Sequence, residues 1–387
     1  MQAQKITLSE EAAKINEALM QRVECFISES GGSIDFQQFM QMALYTPGLG
    51  YYQNSISKFG ESGDFITAPE MGDLFAYGLA NSIASLPADA REQILEFGAG
   101  TGALAVSLLG HLQELKALPK KYLILEPSGQ LQSQQKEVIS RVLADVPVCV
   151  EWLSELPNKF KGTILGNEVV DAIPCQRIRK SENGWIAQHV GIEEKRLCWK
   201  AGASLSSEHL PPALTAEVAI ADGYESEIRP LVEPWIKSLA QSMESGVLLL
   251  IDYGYPQVEY YHPQRNQGTL RCFSRHLSHS QPLELVGLQD ITAHVDFSQL
   301  ARIAVANGLE VIGFTSQAGF LLENGILQRA ETMSELLDDK ARYQLSREIQ
   351  QLTAPGQMGE VMKVIAFSKK DLATMCGFNL QDQLHRL

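Results

Sequence analysis

The stretch Gln93-Ile94-Leu95-Glu96-Phe97-Gly98-Ala99-Gly100-Thr101-Gly102-Ala103-Leu104 decides the fold. A short apolar run ends in an acid, three alternate glycines follow, and an apolar, helix-compatible segment begins at Ala103. We interpret the stretch as a strand, a glycine loop and a helix N-terminus. Glycine permits positive φ and lets a ligand approach the backbone, while the first N–H groups of the helix remain available to that ligand. The stretch therefore predicts a site for a nucleotide-like ligand.

The glycine loop alone leaves the ligand open, because Gly98, Gly100, Gly102 and Ala103 also fit the dinucleotide pattern G-x-G-x-x-G/A. Glu96 favours a different ligand. A carboxylate at that strand end does not stabilise a bound pyrophosphate. It does stabilise the positively charged sulfonium and amino groups of S-adenosylmethionine. A further alternative is that the stretch is a glycine turn that binds no ligand.

Glu126 ends the next apolar run, Tyr122–Leu125. A carboxylate at that position can accept hydrogen bonds from both hydroxyls of a ribose. NAD sites share this feature, so Glu126 supports a nucleoside ligand without choosing between the two cofactors.

Strands and helices alternate from Gln93 onward, which predicts an α/β fold with a mainly parallel, doubly wound sheet. Strands are expected at Gln93–Phe97, Tyr122–Glu126, Val148–Trp152, Gly162–Gly166 and Gly246–Asp252, and helices near Ala103–Leu115, Ser128–Val142 and Ser226–Met243. Two late strands, Leu309–Thr315 and Met358–Lys369, are expected to close the sheet as an antiparallel pair.

The predicted domains are an N-terminal helical and loop region at 1–90, a core at 91–369 and a C-terminal tail at 370–387. Helices are expected at Ser9–Ser30, Ser33–Tyr45 and Leu74–Ala84 in the first region, and at Asp296–Asn307 in the core. Two insertions interrupt the core, at about 176–222 and 253–294. The first should be a β-meander, with short strands at Gln176–Arg179, Trp185–Ile192 and Arg196–Trp199 and a hairpin turn at Asn183-Gly184.

A second group of polar residues follows the fourth predicted strand. Asn167, Glu168 and Asp171 fall at the carboxyl end of that strand, where open α/β sheets bind ligands. Carboxylates there could bind a cationic nucleophile and take its proton, and the guanidinium of arginine is such a nucleophile. Glu168 and Asp171 are therefore the candidate catalytic residues. The alternative is that both belong to the acidic first turn of a helix.

Composition narrows the class of protein further. The chain has 387 residues and a formal net charge of −14, which argues against general binding to nucleic acid. Six cysteines without paired spacing suggest neither a zinc site nor a disulfide framework, so no metal is expected. We expect a cytoplasmic protein without a membrane span, because no apolar run approaches the required length.

Several blocks of the sequence together resemble the MidA family of S-adenosylmethionine-dependent methyltransferases. That family includes a mitochondrial complex I assembly factor that is a protein arginine methyltransferase. The resemblance rests on the blocks Ala43–Tyr52, Gly63–Glu70, Glu96–Gly102, Gly166–Pro174, Ile251–Gly254, Gly268–Cys272, Asp290–Phe297 and Met358–Glu360.

The resemblance implies a class I methyltransferase (Rossmann-like) fold, with a mixed seven-stranded sheet, an N-terminal helical region and an inserted β-meander. It implies S-adenosyl-L-methionine as cofactor, and irregular loops carrying Tyr51, Asp64, Thr67, Glu70 and Arg271 that cover the site. With the residues derived above, the expected cofactor-binding set is Glu96, Phe97, Gly98, Ala99, Gly100, Gly102, Glu126, Asn167, Thr67 and Glu70.

The expected partner is a protein that presents an arginine, with a respiratory-complex subunit as the narrower candidate, and a homodimer is a further expectation. Two other functions stay open from the sequence. One is an assembly chaperone that keeps the cofactor pocket without transferring a methyl group, and the other is an NAD-dependent oxidoreductase.

Overall fold

The computed structural model describes residues 8–56, 67–215, 220–274, 277–370 and 375–387. The helices of these residues are α1 Glu10–Glu29, α2 Phe36–Tyr45, α3 Ala68–Met71, α4 Leu74–Ala84, α5 Ala103–Glu114, α6 Gly129–Val142, α7 Pro212–Thr215, α8 Val232–Ser242, α9 Gln257–Tyr260, α10 Phe297–Ala306, α11 Gln317–Glu323, α12 Ile326–Ser334, α13 Asp339–Thr353 and α14 Met358–Val361. The strands are β1 Ser33–Asp35, β2 Gln93–Phe97, β3 Lys121–Leu125, β4 Cys149–Leu153, β5 Phe160–Asn167, β6 Gln176–Ser181, β7 Gly184–Glu193, β8 Arg196–Leu205, β9 Glu225–Ile228, β10 Met243–Tyr255, β11 Arg271–Ser274, β12 Leu277–His279, β13 Asp290–Thr292, β14 Val295–Asp296, β15 Glu310–Ser316 and β16 Met362–Lys369. Among the described residues, no helix is both long and apolar enough to cross a membrane.

The chain forms two compact units, each built from three separate segments. One unit, called here the sheet unit, comprises Ile66–Asp171, Val232–Tyr260 and His294–Leu387. The other, called here the meander unit, comprises Met1–Phe65, Ala172–Leu231 and Tyr261–Ala293. Residues 1–65 of the predicted N-terminal region thus belong to the same unit as the first insertion and most of the second, whereas residues 66–90 belong to the sheet unit.

The sheet unit is built on a mixed sheet with the strand order β15-β16-β10-β5-β2-β3-β4, and the short β14 also pairs with β10. The five strands β10, β5, β2, β3 and β4 are parallel. Strand β16 runs antiparallel to both of its neighbours, β10 and β15, and β15 completes that edge of the sheet. This is the class I methyltransferase arrangement, so the predicted fold class and its antiparallel closing pair are confirmed.

The core of the sheet unit is apolar and almost fully buried. Central strand residues such as Leu95, Ile124 and Leu249 are completely or nearly completely buried. Helices α4 and α5 pack on this sheet with apolar faces that include Leu79 and Leu108. A sheet covered in this way holds the carboxyl ends of its parallel strands in fixed positions, which is where the candidate site residues lie.

The meander unit contains a five-stranded antiparallel sheet and a second sheet of three strands. The first has the order β1-β7-β6-β9 with β8 beside β7, and the second has the order β12-β11-β13. Helices α1 and α2 pack with them around a core that includes Leu19, Phe36, Phe39 and Val190. The predicted β-meander and its hairpin are confirmed, and Ser181 pairs with Gly184 across the turn.

Three predicted elements differ from the structure. Ser33–Asp35 was expected to be helical, but it is the strand β1, because Ile34 pairs with Val190, and the helix begins after Asp35, whose side chain caps it. The helix expected from Ser226 begins only at Val232. Pro230 disfavours helix at the preceding residue, and Glu225–Ile228 instead pairs with β6.

The third difference lies at the last strand. Met358–Val361 was expected to be extended, but it forms the short helix α14. Pairing with β10 begins only at Met362, opposite Tyr253, so nothing holds the preceding residues in an extended form.

Candidate active site

The glycine loop has the geometry that its sequence predicts. Gly98, Gly100 and Gly102 all have positive φ, at 58°, 53° and 87°. The Gly102 amide donates to the carbonyl of Ala99 at 2.7 Å, which closes a tight turn before α5 begins. No atom outside its immediate chain neighbours lies within 4 Å of the point where a Cβ would stand on Gly98. The backbone at Gly98 is therefore bare and accessible to a ligand.

Glu96 is a buried carboxyl group at the carboxyl end of β2. Its Oε2 accepts a hydrogen bond of 2.7 Å from the hydroxyl of Tyr122, which lies on the neighbouring strand β3. Burial raises the pKa of Glu96 to about 7, the Tyr122 hydrogen bond opposes that rise, and the negative charge of Glu126 adds to it. A cation bound beside Glu96 would favour its charged form.

Glu126 follows β3, and protein donors hold both oxygens of its buried carboxylate. The backbone N–H of Ser128 donates to Oε1 at 2.9 Å. The side-chain amide of Gln135, on α6, donates to Oε2 at 3.2 Å. The carboxylate plane is thus set from two directions, at the end of the strand next to the glycine loop.

Glu70 is also brought to the glycine loop. The hydroxyl of Thr101, in that loop, donates to Glu70 Oε1 at 3.1 Å. Thr67 stands immediately before α3, the short helix that carries Glu70. Asp64 lies outside the described residues.

Phe97 and Ala99 differ from the other predicted cofactor residues, because their side chains pack into apolar surroundings. The ring of Phe97 meets Trp235 edge to face, with centroids 5.8 Å apart. Ala99 belongs to the apolar core of the sheet unit. Only their backbone groups are therefore suited to binding a polar ligand. Tyr51 and Arg271 lie in the meander unit, where Tyr51 is part of the buried core.

The turn after β5 carries Glu168 and Asp171, and no helix follows it before β6 begins at Gln176. The helix-cap alternative for these two acids is therefore wrong. Glu168 has a φ of 53°, an uncommon conformation for a residue with a side chain. Its N–H donates to the carbonyl of Ile251 on β10 at 2.9 Å, which holds it in that conformation. Strained residues of this kind concentrate at functional sites.

Asp252, on β10, organises the same turn and was not recognised from the sequence as a site residue. Its Oδ2 accepts from the N–H groups of Val170 and Asp171, at 2.8 and 3.1 Å. Its Oδ1 accepts from the N–H of Tyr253 at 2.8 Å. The available signal was its position at the end of the apolar run Val247–Ile251, because Glu96 and Glu126 end their strands in the same way.

Asn167 ends β5 beside the same turn. Its side-chain amide donates to Glu168 Oε1 at 3.2 Å. Its Oδ1 is buried and has no hydrogen-bond partner among the described residues. A buried acceptor without a partner is costly, so Oδ1 is suited to receive a donor from a ligand.

The surroundings of this turn are strongly negative. The pKa of Tyr253 is raised well above its usual value by burial and then by the charges of Glu168, Asp171 and Asp252. The ring of Tyr253 lies nearly parallel to that of His294, at 15° and with centroids 6.1 Å apart. Three acids and an aromatic face form an environment suited to a cation.

Comparison with known proteins identifies the class of this site. Residues 76–315 match the model of a protein family described as S-adenosyl-L-methionine-dependent methyltransferases. The chain belongs to this family. It is a methyltransferase, its cofactor is S-adenosyl-L-methionine, and the NAD-dependent oxidoreductase alternative is wrong. The alternative of an assembly chaperone that transfers no methyl group is likewise wrong, because the members of this family are described as methyltransferases.

Solved structures support the same conclusion. A protein from Burkholderia thailandensis, crystallised with S-adenosyl-homocysteine, is 36% identical to this methyltransferase with a TM-score of 0.93. The similarity covers 99% of this chain and 100% of that one. A second crystal structure of a protein from the same organism is 35% identical with a TM-score of 0.90.

Curated relatives include the protein arginine methyltransferases named NDUFAF7, mitochondrial. The Danio rerio protein is 26% identical over 382 residues, which cover 90% of this chain and 86% of the relative. The Homo sapiens protein is 26% identical and covers 86% and 79%. The names of these relatives place them in the mitochondrion, so the expectation of a cytoplasmic location is wrong by this comparison.

Among the residues that the structure describes, no cluster of three or more His, Cys, Asp or Glu side chains could hold a metal ion.

Proposed function

We propose that this methyltransferase transfers a methyl group to an arginine of a protein substrate, at the acidic turn after β5. One observation carries the proposal. Glu168, Asp171 and Asp252 meet at the carboxyl ends of the adjacent parallel strands β5 and β10, and their charge acts on one buried tyrosine. An arginine guanidinium is planar and cationic, with several N–H donors, and it matches such a set of carboxylates. The names of the curated relatives agree with this acceptor.

The cofactor would be held at the neighbouring strand ends. We propose that Glu126 accepts hydrogen bonds from the ribose, that Glu96 stabilises the cofactor's positive charge, and that the backbone at Gly98, Gly100 and Gly102 approaches it closely. Thr67, Glu70 and Asn167 complete the set. The bare surface at Gly98, the two buried acids and the unpartnered Oδ1 of Asn167 support this assignment.

The bound cofactor supplies an electrophilic methyl group, and the chain's own residues orient the acceptor. Glu168 is suited to accept hydrogen bonds from the guanidinium and to localise an electron pair on the attacking nitrogen. The bound cofactor would give up this methyl group to the attacking nitrogen and leave as S-adenosyl-homocysteine, and a carboxylate of the turn would take the proton that the nitrogen then loses. Asp252 has a positioning role, because its carboxylate already holds the backbone of the turn.

Substituting Glu168 tests the proposal. Glu168→Gln keeps the shape of the side chain and removes its charge, so we expect methyl transfer to fall by about 100-fold or more, as for loss of a general base. Affinity for S-adenosyl-homocysteine, measured calorimetrically, should stay within about twofold, since the variant loses no interaction assigned to the cofactor. Glu155→Gln, an exposed carboxylate on the same unit, is the matched control and should retain full activity. Unchanged turnover in Glu168→Gln would reject a catalytic role for this residue.

The substrate itself can be found without assuming its identity. Mass spectrometry of methyl-arginine sites, comparing a strain that lacks this chain with its parent, should show sites that disappear. A respiratory-complex subunit is the narrower proposal, and it rests on the family resemblance alone. If no arginine site is lost while labelled methyl groups still enter another class of molecule, the proposed acceptor is wrong. The expected homodimer is tested separately, by light scattering of the purified protein.

A further inference from the structure

A buried glutamine on α6 connects three elements around the proposed ribose acid. The side-chain amide of Gln135 donates to the carbonyl of Gly100 at 2.9 Å and to Glu126 Oε2 at 3.2 Å. Its Oε1 accepts from the indole N–H of Trp152, on β4, at 2.9 Å. The side chain is completely buried. It therefore links the glycine loop after β2, the acid after β3 and an aromatic residue of β4.

The orientation of this amide is determined by its partners. A primary amide has two N–H donors and one carbonyl acceptor, and here each donor faces an oxygen while the acceptor faces an N–H group. The flipped amide would direct its oxygen at the Gly100 carbonyl and at the Glu126 carboxylate, and its donors at the Trp152 N–H. Both changes leave buried polar groups mismatched, which is costly because these groups are shielded from solvent. Trp152 thus selects the orientation that supports Glu126.

We propose that Gln135 is a positioning residue for cofactor binding, because it holds the Glu126 carboxylate against the glycine loop in the orientation that receives the ribose. Trp152 locks the amide that does this. The inference rests on the proposed role of Glu126 in binding the ribose. It adds a residue whose effect is selective for the ribose hydroxyls and small for the rest of the ligand.

Gln135→Glu is the informative substitution. It keeps the size of the side chain, removes both donors and places a second carboxylate beside Glu126. Gln134→Glu is the matched control, because Gln134 is the adjacent residue of the same helix and is exposed. The ligands are S-adenosyl-homocysteine and its 2′,3′-dideoxyadenosyl analogue, called here the deoxy analogue, which lacks both hydroxyls that Glu126 would bind; both affinities are measured by calorimetry. Thermal melting confirms that each variant is folded.

The parent should bind the ribose ligand at least about 10- to 100-fold more tightly than the deoxy analogue, as expected when hydrogen bonds to a charged group are lost. In Gln135→Glu we expect affinity for the ribose ligand to fall by a similar factor, with a change below about threefold for the deoxy analogue. Gln134→Glu should behave as the parent does. If Gln135→Glu does not fold, Trp152→Phe keeps an aromatic ring on β4 while it removes the indole donor and part of the ring volume, and it should reduce the discrimination by about 3- to 10-fold, as for one neutral hydrogen bond.

Two results would overturn the proposal. An equal loss for both ligands would mean that Gln135 only supports packing, and unchanged discrimination in both Gln135→Glu and Trp152→Phe would mean that it has no role. Glu126→Gln separates this failure from that of the proposed cofactor site. If Glu126→Gln loses the discrimination while the Gln135 and Trp152 variants keep it, only the role of Gln135 is wrong. If Glu126→Gln keeps the discrimination, the ribose assignment is wrong and the role of Gln135 falls with it.

Discussion

Glu96 illustrates, at the scale of one residue, how a site can oppose the stability of its own fold. The side chain is only 3% exposed, and burial raises its pKa to about 7. Ionising this group inside the folded protein is therefore less favourable than in the unfolded chain. The same buried charge is what a cationic cofactor requires.

Stability should depend on pH through this carboxyl group. Between the unfolded value of 4.5 and the folded value of about 7, the folded state binds more protons, so stability falls as pH rises. Glu96→Gln removes this cost and should raise the free energy of unfolding at pH 8 by on the order of 3 kcal/mol, with little gain at pH 4. Chemical denaturation at both pH values measures the difference. Glu137→Gln, at an exposed position, should change neither value, and an equal effect of Glu96→Gln at both pH values would contradict the argument.

Affinity for the cofactor should show the opposite pH dependence, because binding favours the ionised form of Glu96. A cation favours ionised Glu96, so the affinity for S-adenosylmethionine should rise with pH through about 7 in the parent protein. Glu96→Gln should bind the cofactor weakly and lose this pH dependence.

At the scale of elements, the centre of the sheet depends on two glycines that face each other. Gly162 on β5 pairs with Gly246 on β10, and both have positive φ, at 149° and 131°. A Cβ on Gly246 would stand 1.8 Å from the carbonyl oxygen of Gly162, and one on Gly162 would stand 2.1 Å from that of Gln93. Both neighbours are backbone atoms, which cannot move without disturbing the sheet.

A methyl group at this point should therefore disrupt the fold. We expect Gly246→Ala to destabilise the protein by more than about 3 kcal/mol, combining a steric clash with an unfavourable φ. Gly110→Ala is the control, because Gly110 lies within α5 and nothing stands within 4 Å of its missing Cβ. That change should stabilise by about 0.5–1 kcal/mol, since alanine favours helix. Thermal unfolding compares the two, and a mild effect of Gly246→Ala would show that β5 and β10 can separate locally.

The C-terminal segment shows an element that the sequence pattern did not reveal. Residues beyond Asp371 are weakly patterned, yet Phe378 is buried and packs against Phe320, with ring centroids 5.5 Å apart. Glu323 accepts hydrogen bonds from the N–H groups of Gly377 and Asn379, at 2.9 and 2.7 Å. Isolated contacts of this kind have no periodicity, so sequence patterns cannot indicate them.

At the scale of the whole molecule, the net charge of −14 predicts that methyl-acceptor proteins with positive charge are attracted to this chain. A basic substrate is drawn by the summed negative charge, and salt screens that attraction over about 10 Å at 0.1 M ionic strength. We expect kcat/KM for an arginine peptide with flanking lysines to fall several-fold between about 50 and 300 mM salt. A peptide with glutamine in place of the lysines should show little change, and neither should cofactor affinity. A flat salt response of the basic peptide would mean that charge does not guide the acceptor.

The sequence by itself determined the strands of the parallel sheet, the glycine loop and the acids that end β2 and β3. Each of these follows from local rules. An apolar run of strand length, positive φ at glycine and a polar residue at a strand end are all visible within a few residues. Glu96, two residues before the first glycine, favoured a cationic cofactor, and the family resemblance implied the same one.

Only the tertiary structure decided which distant residues share a site. Asp252 holds the turn of Glu168 and Asp171 from more than 80 positions away, and Gln135 joins Gly100, Glu126 and Trp152. The tertiary structure also decided that Ser33–Asp35 is a strand, because the residues with which it pairs lie in β7. Hydrogen bonds and strand pairing depend on distance in space, and a one-dimensional pattern records only distance along the chain.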